Sequence, residues 1–85
     1  MRLRVADDVG VEVLDNVVYA APLPDGPILV FGGIAGLIWI EACATPREDV
    51  ARVVGEHTDQ DVDAIHMHVD AFVSELIARG LLVGD

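Results

Sequence analysis

The chain has 85 residues, and its 15 acidic and five basic residues, the latter all arginine, give a formal net charge of −10. A chain of this length forms one small domain, residues 1–85, with room for only a thin core. The shortage of cations argues against nucleic acid and anionic membranes as partners, because both are bound mainly through lysine and arginine.

No segment of the sequence predicts secretion or membrane insertion. The N-terminus becomes acidic at Asp7 and Asp8 before any apolar run, unlike a signal peptide. The longest uncharged run, residues 26–40, has 15 residues, whereas a membrane span needs about 20. Cys43 is the only cysteine, so no intramolecular disulfide can form. Its alanine neighbours predict a small buried thiol, and we expect a cytoplasmic protein.

Residues 1–31 are rich in valine and predict β-strands. The pair Asp15-Asn16 separates two runs of strand-forming residues and is typical of a turn. A second turn is predicted at residues 24–27, where proline and glycine suit the turn backbone. Residues 28–31 are entirely apolar. The expected product is an antiparallel sheet in which residues 17–21 and 28–31 pair as a hairpin.

Residues 33–80 carry the apolar spacing of three helices. The second helix is predicted to open with a capping box, in which Thr45 caps the helix, Pro46 takes the first position and Glu48 reaches back. The third is predicted to start near Thr58 and to end at Arg79-Gly80, a cation followed by a glycine cap. The fold class is therefore α+β, a small three-stranded antiparallel sheet followed by three helices.

No group of residues in the sequence predicts catalysis, a metal site or a cofactor. Within the segment His66-Met67-His68, residues two apart point to different faces of a helix. His66 with Asp70 makes a better pair, but two ligands do not make a structural zinc site. Ser74 lies in the middle of a helix, without the sharp turn that a serine nucleophile needs. Paired carboxylates occur in turns and first helical turns, where solvation is the simpler interpretation.

The uncharged strand at residues 28–31 leaves two interpretations open. Sheet edges are normally protected by charge or proline unless they are used. As a central strand, this segment would be fully paired, and it could also be covered by the third helix. As an edge, it would accept an extended peptide as an additional strand.

The end of the sequence resembles the closing helix of PqqD-like proteins, which recognise the precursors of ribosomally synthesised, post-translationally modified peptides (RiPPs). The matching positions in residues 68–82 are Val69, Phe72, Glu75-Leu76 and Arg79-Gly80-Leu81. The turn Asp25-Gly26 and the helix entries at residues 33–39 and 45–48 are also similar to the family. The resemblance covers about residues 11–83. The chain's size suits lasso-peptide, mycofactocin and quinone-cofactor pathways, and we favour the lasso type.

The resemblance implies a winged-helix-like domain without enzymatic activity. In the family, the leader segment of a precursor peptide adds as an antiparallel strand and is presented to a modifying enzyme or a leader peptidase. Asp70 would favour a basic residue in the leader. The positions implied to bind the peptide are Ile28, Leu29, Val30 and Phe31 on the strand, and His66, Asp70, Val73 and Ile77 on one flank of the third helix.

A second interpretation is an acidic winged-helix module for protein–protein interaction or dimerisation, of the type found in regulators. DNA binding is disfavoured, because the second and third predicted helices carry Arg47, Arg52 and Arg79 against eight carboxylates. An apolar edge is also compatible with pairing to a second copy, so a homodimer stays open.

Overall fold

The structure of the protein, a computed structural model, describes residues 2–84 and confirms the α+β fold. Its elements are β1 (Leu3–Val5), β2 (Val9–Leu14), β3 (Val17–Pro22), β4 (Leu29–Phe31), α1 (Gly33–Ala44), α2 (Val50–Thr58), α3 (Val62–Ala78) and β5 (Leu82–Gly84), with a 3₁₀ turn at Arg47–Asp49 before α2. No helix within these residues is both long enough and apolar enough to cross a bilayer.

The predicted hairpins form a three-stranded antiparallel sheet in the order β2-β3-β4. The turn between β2 and β3 consists of Asp15 and Asn16, both with positive φ (51° and 64°). Short polar residues tolerate this conformation, and two positive φ values produce the turn whose twist matches a hairpin. Strand β4 is shorter than predicted, because Ile28 lies just before its first residue.

A second sheet, absent from the sequence-based expectation, joins the two ends of the chain. Strands β1 and β5 pair antiparallel, with Arg4 opposite Val83. The apolar tail after α3 therefore returns to the core as a strand, and both Leu81 and Leu82 are buried. Such pairing between distant segments depends on where α3 directs the chain, which local sequence does not reveal.

The hydrophobic core lies between the sheet and the helices. Its largest fully buried side chains include Trp39 of α1, Leu76 of α3 and Val18 of β3. Gly36 of α1 lies against the β2–β3 turn and the end of β4: a Cβ at this position would lie 2.6 Å from the carbonyl oxygens of both Asn16 and Phe31. The absence of a side chain at Gly36 thus lets α1 approach the sheet closely.

The predicted capping box at Thr45 is wrong. Thr45 is instead the C-cap of α1, where its N–H donates to the Glu41 carbonyl and its Oγ1 lies 3.3 Å from Glu41 Oε1. The following turn is a 3₁₀ helix, and no side chain caps its N-terminus. Thr45 is able to end one helix or to begin the next, and here its backbone N–H closes the last turn of α1.

The third helix begins later than predicted. Thr58 is the last residue of α2, and Asp59 adopts the left-handed conformation (φ 58°) that ends it. Asp61 is the N-cap of α3, and its Oδ1 accepts a hydrogen bond of 3.0 Å from the N–H of Asp63. The predicted end is confirmed, because Arg79 caps the helix and Gly80 follows with a φ of 75°.

We expect Asp61→Ala to lower the free energy of unfolding by about 1 kcal/mol, because it removes the cap of α3. Urea unfolding followed by circular dichroism measures the change. Asp63→Ala is the matched control, because it removes a nearby carboxylate but keeps the backbone N–H that donates to Asp61. An equal loss in both variants would indicate that local charge, and not the cap, stabilises the helix.

Candidate peptide-binding groove

Strand β4 is an edge strand, because its only sheet partner within the described residues is β3. Residues 29–31 are therefore not a central strand, because one edge of β4 has no strand partner among residues 2–84. The edge carries no charged side chain and no proline, although both commonly protect exposed edges. An extended peptide therefore meets no charge or proline on this strand.

The register shows which main-chain groups the edge offers. In the two-residue hairpin, Leu14 and Val17 form a hydrogen-bonded pair, and such pairs alternate along an antiparallel ladder. Val18 therefore directs its main-chain groups toward Phe31 in β4, whereas Tyr19 directs its groups toward β2. Because Val30 lies opposite Tyr19, its N–H and C=O point away from β3. Val30 consequently supplies a donor and an acceptor at the free edge.

Side chains of β4 alternate between the two faces of the sheet. Leu29 and Phe31 are half-buried and pack against the core, whereas Val30 is 59% exposed on the opposite face. Ile28, 71% exposed, lies just before the strand. It helps to line a shallow hollow of about 310 Å³ on that outer face, together with Gly10 and Tyr19. The four predicted strand residues thus lie together, but two of them face the core and two lie on the outer side of the sheet.

Two aromatic contacts connect the edge strand to the helices. The ring of Phe31 stacks on Trp39 at a centroid distance of 5.4 Å. It also meets the edge of the Phe72 ring of α3 at 5.9 Å. Such geometries are favourable for aromatic pairs. The contact between Phe31 and Phe72 therefore joins β4 to α3, and we name the surface between the β4 edge and this helix the β4–α3 groove.

The flank of α3 that carries Phe72 borders this groove. His68 and Glu75, four residues before and three after Phe72, lie on the same side of the helix and are exposed. Glu75 Oε1 accepts a hydrogen bond of 2.8 Å from Arg79 Nε. The sequence matched Phe72 and Glu75 to the family pattern, but the predicted peptide site included neither of them and did not include His68. Helical spacing defines two flanks of a stripe but does not show which one faces β4.

The flank of α3 predicted from the sequence lies on the side of the helix that faces the 3₁₀ turn. Ser74 Oγ lies 2.9 Å from Arg47 Nη2 of the 3₁₀ turn, and Asp70 helps to line a separate cavity of about 390 Å³ with both residues. His66 Nε2 lies 3.2 Å from Asp70 Oδ2 on this same flank. Ile77 also lies there and is half-buried against the core. Val73 is 1% exposed, so it is a core residue and not a groove contact.

The remaining candidates for reactive chemistry are Cys43 and the histidine and carboxylate side chains. Cys43 is exposed, so the predicted buried thiol is wrong. Partial burial nevertheless raises the pKa of the Cys43 thiol above its ordinary value, which disfavours the nucleophilic thiolate. Among the residues that the structure describes, no three histidine, cysteine or carboxylate side chains converge as a metal would require.

Comparison with known proteins identifies the fold. No family model and no curated protein matches the chain at a significant level. A solved structure, TbiB1 in complex with the TbiA(beta) leader peptide, does match, with a TM-score of 0.81 and 19% sequence identity. The match covers 100% of this chain and 98% of TbiB1. The fold implied by the resemblance in the sequence is thereby confirmed: over its whole length, this chain has the fold of TbiB1.

Proposed function

We propose that this protein binds the leader segment of a ribosomally synthesised precursor peptide by strand addition to β4. The observation that carries this proposal is the unprotected β4 edge, which lies beside α3 and is joined to it by the contact between Phe31 and Phe72. The likeness to TbiB1, which was solved with a leader peptide, supports the same function. At 19% identity the likeness shows a shared fold. The position of the peptide site is inferred from the geometry of this chain.

Main-chain hydrogen bonds provide the basic affinity in such a complex. One leader residue pairs with Val30 by accepting from its N–H and donating to its C=O. Successive side chains of the added strand point to opposite faces. The leader residues beside that pair therefore project toward Phe31 and Phe72, where apolar side chains gain most from burial. Residues of the other parity lie beside Val30 on the outer face.

The net charge of the protein favours a leader with basic residues. The protein carries a formal charge of −10, whereas Glu75 on the flank of α3 that borders the groove is already paired with Arg79. A field of one sign accelerates the approach of an oppositely charged peptide, and added salt weakens this effect. Asp70, which the sequence predicted would favour a basic leader residue, lies on the other flank of α3. It therefore contributes only to the overall negative charge of the protein.

The proposed role is that of an adaptor in the cytoplasm and not of an enzyme. The complex would present the rest of the precursor to a modifying enzyme or a leader peptidase. The groove offers hydrogen-bonding edges and apolar surface, which suffice for binding. No bond in the peptide is made or broken by the adaptor itself.

The direct test is titration of a fluorescent leader peptide, taken from a short open reading frame beside the gene, with the purified protein. We expect saturable binding with a Kd of about 1 μM, near −8 kcal/mol, and weaker binding at higher salt. A scrambled leader of the same composition separates specific binding from charge attraction. Equal affinity for both peptides, or no binding of leaders from neighbouring genes at tens of micromolar, would refute the proposal.

A further inference from the structure

The side of helix α1 that faces away from the sheet is apolar and only partly covered by the other described residues. Its inner side is buried through Gly36, Ile38, Trp39 and Ala42. A helix at the surface of a globular protein normally carries polar residues on its outer side. Here Ile34 is 46% exposed, Leu37 and Ile40 are only half-buried, and Glu41 is the sole charged residue of the helix. Such an apolar composition is typical of a helix that packs against other elements on all sides.

This outer side forms one wall of a groove of about 490 Å³, which we name the α1 groove. Gly33, Leu37, Ile40 and Glu41 of α1 line it together with Asn16 of the β2–β3 turn and His57 at the end of α2. The Glu41 carboxylate, with its side chain 16% exposed, lies 3.4 Å from His57 Nε2 and 3.3 Å from Thr45 Oγ1. The Glu41 carboxylate is therefore held by two contacts and lies beside the apolar residues of the groove.

Charge indicates what the α1 groove accepts. None of the five arginines lines it, and Asp15 adjoins it beside Asn16. A second copy of the chain would bring another formal charge of −10 to this surface, and like charges at an interface oppose association. A segment with one basic side chain among aliphatic residues fits both the negative charge and the apolar surface of the α1 groove. Its cation reaches Glu41, and its aliphatic neighbours cover Leu37 and Ile40.

We propose that the α1 groove is the docking surface for the enzyme that processes the bound precursor, through a basic and aliphatic segment of that enzyme. This proposal rests on the proposed leader-binding function. The α1 groove shares none of its lining residues with the β4–α3 groove, so leader and enzyme occupy different surfaces at the same time. An adaptor needs two such separate surfaces to bring its partners together.

The test measures binding of the leader-loaded protein to the purified leader peptidase encoded beside the gene. We expect Ile34→Asp, one turn before the lining residue Leu37 on the same side of α1, to weaken this binding by about tenfold or more. We expect Glu41→Gln to weaken it by about threefold with a smaller dependence on salt. Leader affinity should not change in either variant. Met67→Asp is the matched control, because Met67 is 78% exposed but lies on α3, outside the groove.

Leader titrations of the same samples distinguish the two proposals. If the unmodified protein fails to bind the leader, the proposed function fails. If it binds the leader but not the peptidase, the docking proposal is overturned. The same holds if both groove variants bind the peptidase as tightly as the Met67→Asp control. Sedimentation of the protein alone gives a second criterion: a dimer that Ile34→Asp dissociates would show that a second copy occupies the groove, which also overturns the proposal.

Discussion

Replacing Val30 by proline is expected to weaken leader binding by about tenfold or more. Proline removes the N–H that Val30 directs to the free edge, and its ring occupies the position of an incoming strand. The fold should survive, because the register directs the main-chain groups of Val30 away from β3 and its side chain is 59% exposed. Edge strands are also the positions where sheets tolerate proline.

Two variants serve as controls for this result. Val30→Ala keeps the edge N–H and should retain most of the affinity. Ser74→Ala lies on the other flank of α3, where Ser74 contacts Arg47, and should bind the leader normally. Fluorescence anisotropy with the same labelled leader gives all the affinities, and circular dichroism checks the fold. Normal binding by a folded Val30→Pro variant would show that the leader does not pair with this edge.

Replacing Gly36 by alanine is expected to destabilise the protein by about 1–3 kcal/mol, the usual cost of overpacking. Helix propensity alone predicts the opposite sign, since alanine is favoured over glycine by about 1 kcal/mol in a helix interior. Steric contact decides the sign, because the new Cβ would lie 2.6 Å from the carbonyl oxygens of Asn16 and Phe31. Both oxygens belong to backbone and have little freedom to move.

The same substitution should also weaken leader binding, because relief of the clash displaces Phe31, whose contact with Phe72 joins β4 to α3. Gly32→Ala is the matched control: its φ is −106° and nothing lies within 4 Å of an added Cβ. Urea unfolding gives the stability, and leader titration gives the affinity. An increase in stability for Gly36→Ala would mean that α1 moves away from the sheet without cost.

The parts of the fold that were predicted correctly depend on local chemistry. Asp15 and Asn16 form the expected turn because short polar side chains tolerate a positive φ. Gly80 ends α3 as expected because glycine adopts a positive φ without steric cost. The errors at the helix ends arose where one residue suited either of two helices, or where neighbouring residues were both suitable as the cap. Thr45 satisfies the end of α1 and not the start of the next helix, and Asp61, not Thr58 or Asp59, caps α3.

The sequence by itself determined that residues 28–31 are an uncharged apolar segment, that α3 has an apolar stripe, and that the whole chain is acidic. Only the tertiary structure decided that β4 is an edge and that Phe72, not Asp70, lies beside it. It also decided that the apolar outer side of α1 stays only partly covered. The physical reason is that spacing defines the faces of one element, whereas the packing of distant elements determines which face is covered.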